Sequence, residues 1–161
     1  MAITLEAPTW TPEGRVTLRT VRRQARDGES IPILTCYDAT TARHLFAGGV
    51  SCFLVGDTAA QVVLGHDTTL PASMPFMLEI TAAVRRGAPN AFVIADMPFG
   101  SYQCGVDEAV RHAIAFLKEA DADIVKFELD ASWGPMASRW VASGVPVMAH
   151  LGSRPRQVRA A

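Results

Sequence analysis

Charged and titratable side chains recur at the ends of short apolar runs in this chain. Four successive runs end in such a residue and the third also contains a lysine, which together gives Asp57, Asp96, Lys126, Glu128 and His150. Carboxylates buried close together repel one another, so they need a cation or a shared proton between them. Carboxylate oxygens without cysteine favour a hard metal such as Mg²⁺. The pattern therefore predicts a divalent-metal site, and a helix cap is the alternative for any single aspartate.

Strands and helices alternate along the chain, and they must position these side chains. Strands are predicted at residues 31–37, 50–57, 91–96, 123–128 and 145–150, and helices at 16–28, 40–49, 74–90, 107–122 and 135–144. Strands that alternate with helices predict an α/β fold with a parallel sheet. The strand runs are apolar without alternation, which predicts that both faces of each strand are buried. The carboxyl ends of parallel strands share one edge of the sheet, and ligands bind there.

The length of 161 residues predicts a single domain. Residues 1–15 carry little periodicity and are interpreted as an irregular N-terminal arm. Residues 16–161 are assigned to the (β/α) domain, and no interdomain linker is visible.

Composition excludes several classes of function. The chain has 15 basic and 16 acidic residues, so it lacks the excess of positive charge that binds nucleic acid or an anionic membrane. The three cysteines, Cys36, Cys52 and Cys104, form no CxxC pair, which argues against zinc or a disulfide framework. This cysteine usage indicates a reducing compartment, most simply the cytoplasm. The start of the chain does not resemble a signal peptide, and no apolar run approaches the ~20 residues of a membrane span.

Five longer motifs sharpen this interpretation. They are LTCYDATTAR, FLVGDTAAQVVLGHDTTLP, ADMPFGSYQ, DIVKFE and GVPVMAHLGSRPRQ, in this order. From about residue 16 to its last residue the chain resembles the ketopantoate hydroxymethyltransferase family, also called 3-methyl-2-oxobutanoate hydroxymethyltransferase. The resemblance implies a TIM-barrel type (β/α) repeat. It is incomplete here, with about five of the eight parallel strands of such a barrel.

The resemblance also implies an activity. Enzymes of this family transfer a hydroxymethyl group from 5,10-methylenetetrahydrofolate to 3-methyl-2-oxobutanoate, and the product is 2-dehydropantoate for pantothenate biosynthesis. The expected metal is Mg²⁺, which stabilises the enolate of the keto acid. A homo-oligomer is the expected assembly, with neither nucleic acid nor membrane as a partner.

Individual residues match the family's site. By resemblance, Asp57, Asp96 and Glu128 correspond to metal ligands. Asp57, Asp96, Thr58 and Lys126 correspond to substrate-binding residues, and Thr58 keeps the hydroxyl of the serine usual at its position. Lys126 and a histidine at the edge of the active site, His150, are the candidate catalytic residues.

The chain also departs from the family. A complete barrel needs about 250 residues, and the region that carries the family's proposed general base, a glutamate on a later strand, is absent. VKFELD replaces a VKLEGG-like turn, and HLGSRPRQ replaces a HIGLTPQ-like stretch. Two alternatives therefore stay open. One is a non-catalytic or partner-dependent remnant that binds keto acid and Mg²⁺. The other is a relative of the phosphoenolpyruvate mutase and isocitrate lyase group, against which DMPFGSY and VVLGHDTTLP argue.

Three polar residues elsewhere receive simpler interpretations. Asp38, just after the first strand, is predicted to cap a helix rather than to bind a ligand. His112 lies within a predicted helix and is interpreted as a packing or surface residue. Ser101 has no histidine pattern nearby, so a nucleophilic serine is not predicted.

Overall fold

The computed structural model describes residues 14–129 and 133–152. In these ranges helices and strands follow one another as α1 (Leu18–Arg26), β1 (Ile33–Thr35), α2 (Ala39–Ala47), β2 (Cys52–Val55), α3 (Ala59–Val62), α4 (Met74–Gly87), β3 (Phe92–Asp96), α5 (Val106–Lys118), β4 (Ile124–Glu128), α6 (Gly134–Ala142) and β5 (Val147–His150). Most of the arm predicted at residues 1–15 lies outside the described residues.

The five strands form one parallel sheet in the order β1-β2-β3-β4-β5. Each strand lies beside its neighbour in sequence, as in a (β/α) barrel, whereas a doubly wound sheet reverses its strand order at a switch point. The prediction of five parallel strands of an incomplete barrel is confirmed. The short helix α3 was not predicted, because four residues are too few to show helical periodicity.

Helices α2 to α6 cover one face of the sheet. Alternate strand residues such as Phe53, Val93 and Phe127 are buried in the larger core, together with residues of α2, α4, α5 and α6. A smaller cluster forms on the opposite face, where Phe92 and Ile94 pack with other strand residues, and with Val16 and α1. This second face also presents the polar residues described below, because residues two apart on a strand share a face.

The prediction that both faces of every strand are buried is wrong for the outer strands. All five residues of β3 are buried, but all three residues of β1 are exposed. The side chains of Ile33 and Leu34 are 45% and 42% exposed, and β5 is only partly buried. The physical reason is position: β1 and β5 are the two edges of this sheet, so each has a neighbouring strand on one side only.

Gly87 of α4 lies directly against the backbone of Ala39 at the start of α2. A Cβ added to Gly87 would lie 2.2 Å from the Ala39 carbonyl oxygen and 2.7 Å from its Cα. These contacts are with backbone, so no change of rotamer relieves them.

We therefore expect Gly87→Ala to lower the melting temperature. The helix propensity of alanine favours the variant by ~1 kcal/mol, but forced overpacking costs about 1–3 kcal/mol. Thermal denaturation followed by circular dichroism measures the balance. Gly134→Ala is the control, because a Cβ there meets nothing within 4 Å. A Gly87→Ala variant that melts at or above the wild-type temperature would contradict the close approach.

Candidate functional site at the carboxyl ends of the strands

Four of the predicted site residues lie on one face of the sheet at its carboxyl edge. In the strand register Asp96 of β3 is paired with Lys126 of β4, and Glu128 of β4 is paired with His150 of β5. Lys126 and Glu128 are two residues apart, so they share the face opposite the helices. Asp57 follows β2 at the same edge. We call this edge the acidic rim, defined by Asp57, Asp96, Lys126, Glu128 and His150.

The carboxylates of the acidic rim are buried. Asp57, Asp96 and Glu128 are only 5%, 3% and 3% exposed. Lys126 Nζ lies 2.8 Å and 3.0 Å from the two carboxylate oxygens of Asp96, and its side chain is 16% exposed. Burial of ions is costly unless opposite charges and hydrogen bonds compensate it. The ammonium of Lys126 offsets the negative charge of the Asp96 carboxylate.

A hydroxyl group also reaches this edge. A Cβ placed on Gly56 would lie 2.9 Å from Thr58 Oγ1 and 3.8 Å from Asp96 Oδ2. The hydroxyl of Thr58 and the carboxylate of Asp96 therefore approach the same point above the end of β2, and glycine leaves the room for them. Thr58 Oγ1 is hydrogen-bonded to Tyr37 Oη at 2.7 Å. Sequence reasoning assigned no role to Tyr37, although its place just after β1 puts it at the same edge.

The donor set fits a magnesium ion only with ligands from outside the chain. Within residues 14–129 and 133–152, no three or more His, Cys, Asp or Glu side chains are grouped so that they can hold a metal ion. The metal set of Asp57, Asp96 and Glu128 thus stays a prediction. Mg²⁺ in enzymes is commonly held by one or two carboxylates plus substrate oxygens and water. Buried carboxylates on neighbouring strands supply oxygen ligands of this kind.

The predicted helix cap at Asp38 is confirmed. Its carboxylate accepts hydrogen bonds from the backbone N–H groups of Thr40 and Thr41 at 2.9 Å and 2.8 Å. The Thr41 hydroxyl donates to it as well, at 2.6 Å. These bonds, those from Thr41 foremost, hold the pKa of Asp38 below its usual range. Asp38 therefore begins α2 and anchors the loop that carries Tyr37.

Neither the serine nor the buried cysteines offer an activated nucleophile. Ser101 Oγ donates a hydrogen bond to the Pro98 carbonyl at 2.6 Å. Burial raises the pKa of the Cys52 thiol to about 11 and also raises the pKa of Cys36, so both thiols stay protonated at neutral pH. His112 is hydrogen-bonded through Nδ1 to the Ser101 carbonyl at 2.6 Å. Among the described residues, the candidate catalytic and ligand-binding side chains therefore remain those of the acidic rim.

The fold defines an α/β protein of the (β/α)-barrel type, a class in which ligands bind at the carboxyl ends of the strands. Solved structures agree with this class. The chain is similar to 2,3-dimethylmalate lyase, a PEP mutase/isocitrate lyase superfamily member, with a TM-score of 0.62 and 18% identity, over 81% of this chain and 51% of that one. It is also similar to oxaloacetate acetylhydrolase, with a TM-score of 0.63 and 17% identity, over 85% and 53%. These likenesses concern the fold.

Sequence comparison gives the family. The family model for ketopantoate hydroxymethyltransferase matches residues 15–161, and the chain belongs to this family. The 3-methyl-2-oxobutanoate hydroxymethyltransferase of Pseudothermotoga lettingae is 54% identical over 128 residues, which cover 80% of this chain and 48% of that enzyme. The enzyme of the same name from Syntrophus aciditrophicus is 47% identical over 145 residues, 90% of this chain and 53% of that one.

The resemblance inferred from the motifs is thereby confirmed. The chain spans about half the length of the curated relatives that it matches. Separately, no helix among the described residues has both the length and the apolar character needed to cross a membrane.

Proposed function

We propose that this chain serves 3-methyl-2-oxobutanoate hydroxymethyltransferase chemistry, in which 5,10-methylenetetrahydrofolate and the keto acid give 2-dehydropantoate and tetrahydrofolate. The observation that carries the proposal is the partly buried Lys126–Asp96 ion pair on the acidic rim, which Asp57 and Glu128, both buried, share. An α-keto acid has a carboxylate and a ketone oxygen on neighbouring carbons. A rim that combines a cation site with an ammonium group can bind both of these oxygens.

In this proposal Asp57 and Asp96 hold Mg²⁺, and Glu128 lies on the same rim as the third predicted ligand. Bound there, Mg²⁺ supplies Lewis-acid polarisation of the keto acid. The ammonium of Lys126 offsets negative charge that develops on the substrate when C3 loses its proton. The Thr58 hydroxyl donates a hydrogen bond to a substrate oxygen.

His150 is the proposed proton carrier of the described residues. It lies beside Glu128 in the strand register. Its Nδ1 atom is buried and has no hydrogen-bond partner among the described residues. In this proposal the ring nitrogen accepts or releases the proton, as histidine does in general acid–base catalysis.

The exposed edge strand supports a second candidate, a keto-acid and magnesium binding unit that turns over only with a partner. Ile33 and Leu34 of β1 are both more than two-fifths exposed. Apolar side chains on an open parallel edge are suited to further protein contact. A homo-oligomer, with a cytoplasmic location, is the assembly that we propose. Turnover by the isolated chain would decide against the second candidate.

Ligand binding tests the proposal first. We expect Mg²⁺ and 3-methyl-2-oxobutanoate together to raise the melting temperature, because a ligand that binds only the folded state stabilises it. At 100 times Kd the gain is about 2.7 kcal/mol. Asp57→Asn and Asp96→Asn should each abolish the shift, whereas Asp27→Asn, at the exposed end of α1, should keep it. Absence of any shift in the wild type would remove the binding claim.

Turnover is measured separately as formation of 2-dehydropantoate by the purified chain with 5,10-methylenetetrahydrofolate. Product formation supports the enzyme, and binding without product supports the second candidate.

A further inference from the structure

The hydrogen bond between Tyr37 and Thr58 joins two strand ends at the acidic rim. Tyr37 lies in the loop after β1, and Thr58 lies in the turn after β2. Their hydroxyl oxygens are 2.7 Å apart, which is an ordinary distance for an O–H···O hydrogen bond. Tyr37 is half-buried and packs against the larger core, whereas Thr58 is exposed, so the phenol extends from the core to a hydroxyl at the surface of the rim.

The backbone on both sides of Tyr37 is anchored. The N–H of the preceding residue, Cys36, donates to the Leu54 carbonyl at 3.0 Å and continues the pairing of β1 with β2. The following residue, Asp38, caps α2 through three hydrogen bonds. The phenol therefore extends from a loop with little freedom, and it can hold another group in place at small entropic cost.

The Thr58 hydroxyl is not used to cap α3. Thr58 directly precedes α3, its backbone is already helical (φ −55°, ψ −13°), and its side chain makes no capping hydrogen bond. Its hydroxyl lies over Gly56, on the side of Asp96 Oδ2, and is hydrogen-bonded to Tyr37. The orientation leaves the hydroxyl at the acidic rim, where a substrate oxygen can reach it.

We infer that Tyr37 is a positioning residue for the α-keto acid, acting through Thr58. Either hydroxyl can donate in this bond; in the inferred arrangement the phenol donates to Thr58 Oγ1, which leaves the proton of Thr58 for the substrate. A chain of two hydroxyls also polarises the outer O–H and strengthens its bond to an anionic oxygen. This inference rests on the proposed function, and it names the class of group recognised: an oxygen of the keto acid, not the metal ion.

Calorimetric titration of the full chain tests it in two arms. One arm measures Mg²⁺ alone, and the other measures 3-methyl-2-oxobutanoate at saturating Mg²⁺. We expect Tyr37→Phe, which deletes only the hydroxyl, to weaken keto-acid binding about five- to tenfold, the size of one hydrogen bond. Binding of Mg²⁺ and the melting temperature should stay at their wild-type values. Ser143→Ala removes an exposed hydroxyl at the end of α6 and should change neither arm.

A double-mutant cycle separates a relay from two independent contacts. If Tyr37 acts through Thr58, Tyr37→Phe combined with Thr58→Val should bind the keto acid no more weakly than Thr58→Val alone. Additive losses would overturn the inference. So would unchanged keto-acid binding by Tyr37→Phe, or a parallel loss of Mg²⁺ affinity and melting temperature. If the wild-type chain binds neither ligand, the proposed function fails together with the inference. If the wild type binds both ligands and only the Tyr37 results disagree, the inference alone fails.

Discussion

Replacement of Arg85 by methionine is expected to lower the free energy of unfolding by about 3–5 kcal/mol, because it leaves buried polar groups without their cation. The Arg85 side chain is 8% exposed. Its guanidinium donates to the carbonyl oxygens of Asp121, Pro89 and Ala91 at 2.9, 3.1 and 2.6 Å, and it pairs with the carboxylate of Asp123. One side chain thus joins the end of α4 to the segments that precede β3 and β4.

The loss at Arg85 falls on groups that cannot move to water. Asp123 is 12% exposed, and its Oδ2 atom also accepts the Val93 N–H at 2.8 Å, while Arg15 contacts its other oxygen at 3.0 Å. The carbonyl acceptors are backbone atoms set by the chain. Methionine fills a similar length but donates nothing, so the cost is that of desolvated acceptors and a weakened ion pair.

Urea denaturation measures the change, and the adjacent residue supplies the control. Arg86 is exposed and lies on the same helix, so Arg86→Met should alter the free energy of unfolding by no more than about 0.5 kcal/mol. If Arg85→Met unfolds at the same urea concentration as Arg86→Met, the hydrogen-bond network around Arg85 does not stabilise the fold as described.

Replacement of Lys126 by methionine should affect the two ligands in opposite directions. We expect the affinity for 3-methyl-2-oxobutanoate to fall about 100-fold, in the range for loss of one member of a buried charged contact. The anionic substrate would meet the buried carboxylates of the acidic rim without the ammonium that offsets them. Mg²⁺ alone should bind at least as tightly as in the wild type, because Lys126 no longer competes for Asp96.

The opposite responses of the two ligands make this prediction specific. Calorimetry with each ligand reports both affinities, and Lys118→Met, which removes an exposed lysine at the end of α5, controls for the change in net charge. A Lys126→Met variant that keeps wild-type keto-acid affinity would show that this ammonium does not contact the substrate. Equal losses for Mg²⁺ and keto acid would point to collapse of the rim instead.

The sequence alone predicted the order in which strands and helices follow one another. Apolar runs of strand length between helical segments predicted all five strands and five of the six helices of the described residues. It also placed Asp96, Lys126, Glu128 and His150 at one edge, because parallel strands bring their carboxyl ends together. The Asp38 cap followed from local chemistry alone. Such features depend on contacts within a few residues, or on the alternation of side chains along a strand. The ligand roles of the rim residues remain predictions.

Other features required the tertiary structure, since they depend on distances between residues far apart in the chain. The apolar character of β1 predicted burial, but its position at the sheet edge leaves Ile33 and Leu34 exposed. No local signal distinguishes Arg85 from Arg86, and packing alone decides which one is buried. The pairing of Lys126 with Asp96 and the bond from Tyr37 to Thr58 depend on strand register and on the loops at the carboxyl edge. Residue type therefore determined which chemistry was available at the rim, and packing decided which groups touch.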